Sequence, residues 1–376
     1  MPLLDHLRFL AAGLVILFHT VLETRGTGRP AETFHIALID QGHVGVGLFM
    51  VISGFIMMTM FMGRDVEPLK FYYNRALRIY PLLILIVSFG YFTTPDPRPT
   101  AAGINFLMSL LPISNLYRLQ YGSFGGHLWT IAVELQFYLL LPILLRFRRR
   151  YGRLAFYGGV LGIAFALRAA QYALTGTAHA LSYFSLFGSI DLFIGGMIAA
   201  EIYQHLQQRK VEYEPWLVLA TLAAIGVVIA MMFSVPSFFH VDWQHVSIDS
   251  VSRSNKWVIW PLLQAMMWSV FLLLYLRSRS QIWGSAILAN LGKCSYSAYI
   301  WHILVIALLK TKLMWLSSYA LGLFLVLPVT LLIALVSYHL IELPFLHLRS
   351  TYQQRPEEAD ADRYGATEQV KVAAGR

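Results

Sequence analysis

The chain has 376 residues, of which 57% are hydrophobic and only 13% charged, and a formal net charge of +9 at pH 7. A soluble domain carries about 25% charged residues, so this composition excludes an ordinary soluble globule and indicates an integral membrane protein. The positive balance would suggest nucleic acid in a soluble protein, but Lys and Arg on cytoplasmic loops account for it here, and no nucleic-acid partner is expected.

Apolar runs near the 20-residue length of a bilayer span predict ten transmembrane helices, at about 7–22, 43–62, 80–94, 127–145, 154–174, 184–203, 216–234, 257–276, 286–309 and 319–343. The first has no small-residue cleavage site behind it and reads as a retained span rather than a signal peptide. The third is short, and the stretch 104–116, flanked by Pro99 and cut by Pro112, reads as re-entrant or interfacial. Basic residues crowd alternate connections, led by Arg146-Phe147-Arg148-Arg149-Arg150, which places both termini in the cytoplasm. The expected architecture is an all-α bundle over 1–348 followed by a polar, disordered cytoplasmic tail over 349–376. The single cysteine, Cys294, provides neither an internal disulfide nor metal-ligand spacing, so no metal is expected.

Charge inside hydrocarbon is costly, by about 2.5–3.5 kcal/mol on insertion scales, and calls for a reason. Arg8 and His19 are eleven residues apart in the first span. That spacing is about 20° from whole helical turns and gives roughly 16 Å of rise. One face therefore carries a cation near the cytoplasm and a proton-transfer group in the outer half. The plainer alternative is an interfacial anchor and a hydrogen-bonded core histidine. Arg75 and Arg78, three apart in Phe71-Tyr72-Tyr73-Asn74-Arg75-Ala76-Leu77-Arg78-Ile79-Tyr80-Pro81, share a helix face and suit phosphates, although positive-inside anchoring explains them equally well.

Glu134, in His127-Leu128-Trp129-Thr130-Ile131-Ala132-Val133-Glu134, lies about 10 Å into the fourth span, at a depth comparable to that of His19. An acid and an imidazole in one layer could orient each other and share a proton; a carboxylate neutralised by a neighbouring base is the structural alternative. In Lys293-Cys294-Ser295-Tyr296 through His302, Ser295 and Tyr296 read as packing or hydrogen-bonding groups, and His302 sits in the outer half. Glu342 is placed to pair with Arg8, Arg75 or Arg78. Gly54, beside Ser53, permits close helix approach. Cations thus gather at the cytoplasmic side and acid/base groups in the outer half.

These segments together resemble the membrane-bound acyltransferase-3 family of bacterial glycan O-acetyltransferases. Leu4-Asp5-His6-Leu7-Arg8 through His19 looks like its R-x10-H signature, and Gly45 to Phe55, with Val51-Ile52-Ser53-Gly54-Phe55, like its second-helix motif. Phe71 to Pro81 looks like the paired-arginine motif and His127 to Tyr138 like the W-x-x-x-x-E segment. Ser295-Tyr296 with His302, then Ile341-Glu342-Leu343-Pro344, resemble the closing motifs. Gly47 and Leu135 stand where many members carry acids.

The resemblance implies a multi-pass protein of the bacterial inner membrane. Acetyl-CoA or another acyl-CoA would bind from the cytoplasm, and the acyl group would reach a hydroxyl of an extracytoplasmic or lipid-linked glycan. Arg8, Arg75 and Arg78 would hold the donor. His19 would act as general base or acyl carrier, with Glu134 orienting it or relaying its proton. Ser53, Ser295, Tyr296, His302 and Glu342 would serve the substrate or the structure. Many relatives carry a fused SGNH-type domain that is not seen in this sequence, which implies direct action on the acceptor or transfer to a separate partner acyltransferase. The rival from another class is a sugar or lipid transporter or flippase, with the same charges lining its path. Within the enzymes, the rival acceptor is a small hydrophobic product such as a macrolide.

Overall fold

Backbone polar groups cannot remain unpaired in hydrocarbon, which leaves helix as the solution for separate apolar segments. The computed structural model describes residues 1–24, 27–30, 32, 35–62, 67–93, 99–116, 126–234, 254–278 and 285–350. Among them the chain is helical apart from its connections, with one isolated bridge between Tyr213 and Ser278. Residues 351–376 of the expected tail lie outside the described residues, as do the loop charges Arg25, Arg64, Arg98, Arg118 and Arg253.

The order is α1 (Pro2–Thr24), α2 (Ala37–Asp40), α3 (Val44–Phe61), α4 (Pro68–Thr93), α5 (Pro99–Leu110), α6 (Trp129–Thr175) and α7 (His179–Phe184). Then come α8 (Leu186–Gln208), α9 (Pro215–Ser234), α10 (Trp260–Leu276), α11 (Ser285–Lys293), α12 (Ser295–Leu309) and α13 (Ser318–His347). The last contains two π-helical turns, Gly322–Val326 and Tyr338–Glu342.

Each predicted span falls on helix, but among the described residues six helices (α1, α3, α4, α6, α8 and α13) are long and apolar enough to cross a bilayer, seven if α11 and α12 form one bent span. The difference from ten has identifiable sources. The 47 residues of α6 contain two predicted spans, joined through Gly152 at φ 82°, ψ 172°. The apolar part of α9, Pro215–Met231, and α10 are shorter than the rest. The ninth predicted span is bent by 69° at Cys294, just after Gly292, whose Cα lies against the Asp5 carbonyl of α1.

The third span is longer than expected. It begins at Pro68, because Phe71, Asn74 and Ile79 are buried and Arg75 and Arg78 turn into the protein instead of stopping the helix at an interface. The helix runs on through Pro81, as membrane helices tolerate when neighbours satisfy the freed backbone. The stretch 104–116 forms the end of α5 and a 3-10 turn at Ser114–Leu116.

Helices α3 and α8 form the centre: 67% of the apolar window of each is buried, against 33% for α4 and α13, which leave broad apolar faces open. The two backbones touch. A Cβ at Gly54 would overlap the Phe193 carbonyl, and one at Gly196 would overlap the Val51 carbonyl. In lipid, where apolar contact alone gives little drive, such close packing holds helices together. Helix α1 packs on α3, α11 and α12, which brings both ends of the Arg8–His19 face against other elements. Beyond its end, the Arg29 guanidinium donates to the carbonyls of Lys310, Lys312, Leu313 and Leu316, closing the α12–α13 connection over α1.

Candidate active site

Helical periodicity sets Arg8 and His19 on one face of α1, and the fold turns that face inward. Arg8 reaches a cavity of about 120 Å³ whose wall includes Arg75 and Arg78 of α4. Three guanidinium groups from two helices therefore share one space. Arg8 is held by Asp5 at 2.8 Å, one turn back. The Arg75 guanidinium lies 5.6 Å from the Phe71 ring centroid and 5.5 Å from that of Tyr138, the geometry of cation–π contact. Arg78 stands 3.9 Å from Glu342, which is buried and also accepts from Ser297. Of the three arginines offered as its partner, the structure pairs Glu342 with Arg78.

Above the arginines the wall passes to Ser53 of α3 and Glu134 and Tyr138 of α6. Ser53 Oγ donates to Glu134 Oε1 at 3.0 Å, and the Tyr138 hydroxyl donates to the same oxygen. Ser295, Tyr296 and Tyr299 of α12 complete this side. The Tyr296 hydroxyl donates to the Ile79 carbonyl at 2.8 Å, tying α12 to α4. Tyr299 donates to the His127 carbonyl and accepts from Thr130, both at 2.7 Å.

His19 is set apart from this cavity, toward the other end of α1. Its Nδ1 is 3.1 Å from the Val15 carbonyl and 3.0 Å from His302 Nε2. The tautomers follow from the partners. Nδ1 of His19 faces two acceptors, the Val15 carbonyl on its own helix and His302 on α12, and together they place its proton there. His302 Nδ1, 2.6 Å from the Tyr299 carbonyl, carries one too. Nε2 of His302 is then the bare acceptor for His19, and Nε2 of His19 keeps a free lone pair. That is the atom a general base or nucleophile needs.

The structure thus brings Arg8, Arg75 and Arg78 together, adds Ser53, Glu134, Ser295 and Tyr296 to the same space, and joins His19 to His302. It does not join Glu134 to His19. Equal depth in the bundle fixes height but not direction, and Glu134 turns toward α3 while His19 turns toward α12. Tyr138 and Tyr299 were not singled out by sequence reasoning. Tyr138 follows Glu134 by four residues, and Tyr299 precedes His302 by three, so helical spacing alone could have pointed to both. Among the described residues no group of three or more His, Cys, Asp or Glu is arranged to hold a metal ion.

Comparison with known proteins identifies the family. Residues 2–339 match the acyltransferase domain family known as acyltransferase-3. The chain belongs to that family. The acyltransferase-3 match spans every element from α1 into α13, so both the arginine cavity and the histidine pair lie within it.

A Staphylococcus aureus (strain MRSA252) protein named as an O-acetyltransferase is 23% identical over 94% of this chain and 59% of its own length. BcsY of Komagataeibacter xylinus, named as a membrane-bound transacylase, is 25% identical over 80% of this chain and 71% of its own. Nodulation protein 10 of Rhizobium leguminosarum bv. viciae is 26% identical over 83% and 84%. The chain thus spans a little over half the length of the staphylococcal relatives it matches. No solved structure matches it.

Proposed function

We propose that the chain is a membrane O-acyltransferase, moving an acyl group, acetyl in the first instance, from cytoplasmic acyl-CoA to a hydroxyl of an extracytoplasmic or lipid-linked glycan. The observation that carries this reading is the cavity where Arg8, Arg75 and Arg78 converge, with His19 further along the face of α1 that also bears Arg8. Guanidinium groups bind phosphates through paired, charge-assisted hydrogen bonds, and a coenzyme A donor carries several phosphates at the end remote from its thioester. The names of the staphylococcal and Komagataeibacter relatives point to the same chemistry.

In this reading the arginines hold the nucleotide end and the acyl thioester points toward His19. As base, His19 Nε2 takes the proton of the acceptor hydroxyl while that oxygen attacks the thioester carbonyl. The C–S bond breaks, and the thiolate recovers the proton from His19. As carrier, the same lone pair attacks the carbonyl first, the C–S bond breaks and the thiolate leaves. The acceptor hydroxyl then attacks the acyl-imidazole, the C–N bond breaks, and the hydroxyl proton ends on the thiolate. Glu134, with its two hydroxyl donors, supplies the second acid/base group from the cavity wall and reaches His19 only through bound substrate. The topology that serves this reaction is ten passes with both termini in the cytoplasm of a bacterial inner membrane, with the acceptor met directly or through a separate partner acyltransferase.

The test is thiol release from acetyl-CoA by protein in nanodiscs, with and without a glycan extract, for wild type and His19→Ala. Extract-dependent turnover that His19→Ala abolishes supports the reading. A folded, donor-binding wild type that releases no thiol with any acyl-CoA sinks it and favours transport.

A further inference from the structure

The imidazole of His302 is completely buried, yet its hydrogen bonds are specific at both ring nitrogens. One nitrogen donates to the Tyr299 carbonyl, a turn back on α12, at 2.6 Å. The other lies 3.0 Å from His19 Nδ1 on α1. Tyr299 is itself fixed: its hydroxyl binds the His127 carbonyl and Thr130 of α6, and its ring lines the arginine cavity. On its remaining side the His302 ring meets that of His127, with centroids 4.9 Å apart at 72°. His302 therefore cannot turn without breaking a carbonyl bond and displacing a neighbouring ring.

We propose that His302 is the positioning residue for His19. It orients the His19 ring and holds it in the tautomer whose Nε2 is unprotonated. This rests on the reading that His19 performs the chemistry, and it deepens that reading by assigning the group that makes His19 competent. The Val15 carbonyl also faces His19 Nδ1, but it lies on the same helix four residues earlier and is a poor constraint on the ring's rotation toward α12. His302 supplies the second point from another helix.

Base and carrier mechanisms both use the Nε2 lone pair, so the role of His302 is the same in either. His302 keeps its own proton throughout. When His19 Nε2 gains a proton or an acyl group, Nδ1–H stays bonded to a neutral acceptor, and no proton crosses between the rings. The connection to the donor site is structural: the residue whose ring lines the cavity, Tyr299, is the one whose carbonyl orients His302.

The experiment compares wild type, His19→Ala, His302→Leu and His302→Gln in nanodiscs. It measures kcat and KM for acetyl-CoA, donor affinity as a check on folding, and the ¹⁵N shifts of His19 in histidine-labelled protein. His302→Leu fills the space but accepts nothing, whereas the amide oxygen of His302→Gln reaches the position of Nε2 and accepts from His19. The expected result for Leu is a kcat lower by about 10²-fold, the low end of general-base effects, with donor affinity unchanged and the His19 nitrogens shifting toward a mixture of tautomers. Gln restores kcat to within about tenfold of wild type.

Two results overturn the proposal: wild-type kcat in His302→Leu, or equal loss in Leu and Gln, which would make His302 a packing residue. The two hypotheses fail separately. A fully active His19→Ala removes the underlying reading, whereas an inactive His19→Ala beside an active His302→Leu removes only the role of His302.

Discussion

Ser53 Oγ reaches Glu134 Oε1 at 3.0 Å and joins α3 to α6 across 81 positions of sequence. The bond fixes a carboxylate in the cavity wall directly above the arginines, with Tyr138 donating to the same oxygen. Glu134→Gln keeps an acceptor for both hydroxyls but removes the charge and the proton-accepting capacity. Turnover is expected to fall on the order of 10²-fold, with the protein still folded, as read by thiol release and by size-exclusion chromatography. Ser53→Ala removes one of the two hydroxyls that donate to that carboxylate, leaving Tyr138, and is expected to cost about tenfold, the low end for a hydrogen bond to a charged group. A Glu134→Gln enzyme near wild type would confine Glu134 to a structural role.

The arginines differ in how they are held, and this predicts different substitutions to be tolerated. Arg75 lies over the rings of Phe71 and Tyr138, contacts that use the flat face of a guanidinium. Arg75→Lys should therefore be nearly as damaging as Arg75→Ala. For either variant the KM for acetyl-CoA should rise about 10- to 100-fold, the loss expected of one or two charge-assisted hydrogen bonds. A short acetyl thioester without the nucleotide should be used equally by variant and wild type. An equal loss with both donors would remove phosphate binding as the role of Arg75.

Much of this site was legible because helical periodicity is a strong constraint. Arg8 with His19, and Arg75 with Arg78, are placed on common faces by spacing alone, and both placements lead into the bundle. What depends on the direction in which a helix faces its neighbours was not legible. Glu134 and His19 have similar depths, but α6 turns Glu134 to Ser53 while α1 turns His19 to His302, 283 residues away. The start of α4 was misplaced for a related reason. Arg75 and Arg78 read as the edge of a span when seen as charges, whereas the protein encloses them and the helix continues past them.

The α3–α8 contact predicts where the fold is least tolerant. Gly54→Val must displace the Phe193 carbonyl of α8, which is backbone and cannot swing aside. Little monodisperse protein is expected after detergent extraction, and what remains should melt well below wild type. Gly158→Ala, in α6 with nothing within 4 Å of its new methyl group, is the matched control and should behave as wild type. A Gly54→Val protein of normal yield and thermal stability would show that α3 and α8 do not approach this closely.

Arg168, a charge inside a predicted span, has its reason in Asp191 of α8. The pair is 0% and 1% exposed, and Arg168 also donates to the carbonyls of Val258 and Phe187. Removing one partner and removing both should have unequal effects. Asp191→Ala strands a guanidinium in an apolar interior, a loss of about 3–5 kcal/mol. The double variant Arg168→Met/Asp191→Leu buries no charge and fills a similar volume, so its stability should recover much of the way toward wild type. Thermal melts of the two variants in one detergent give the comparison. If the double variant is no more stable than Asp191→Ala, the bonds of Arg168 to the Phe187 carbonyl at the start of α8 and the Val258 carbonyl before α10, rather than the ion pair, are what hold this corner of the bundle.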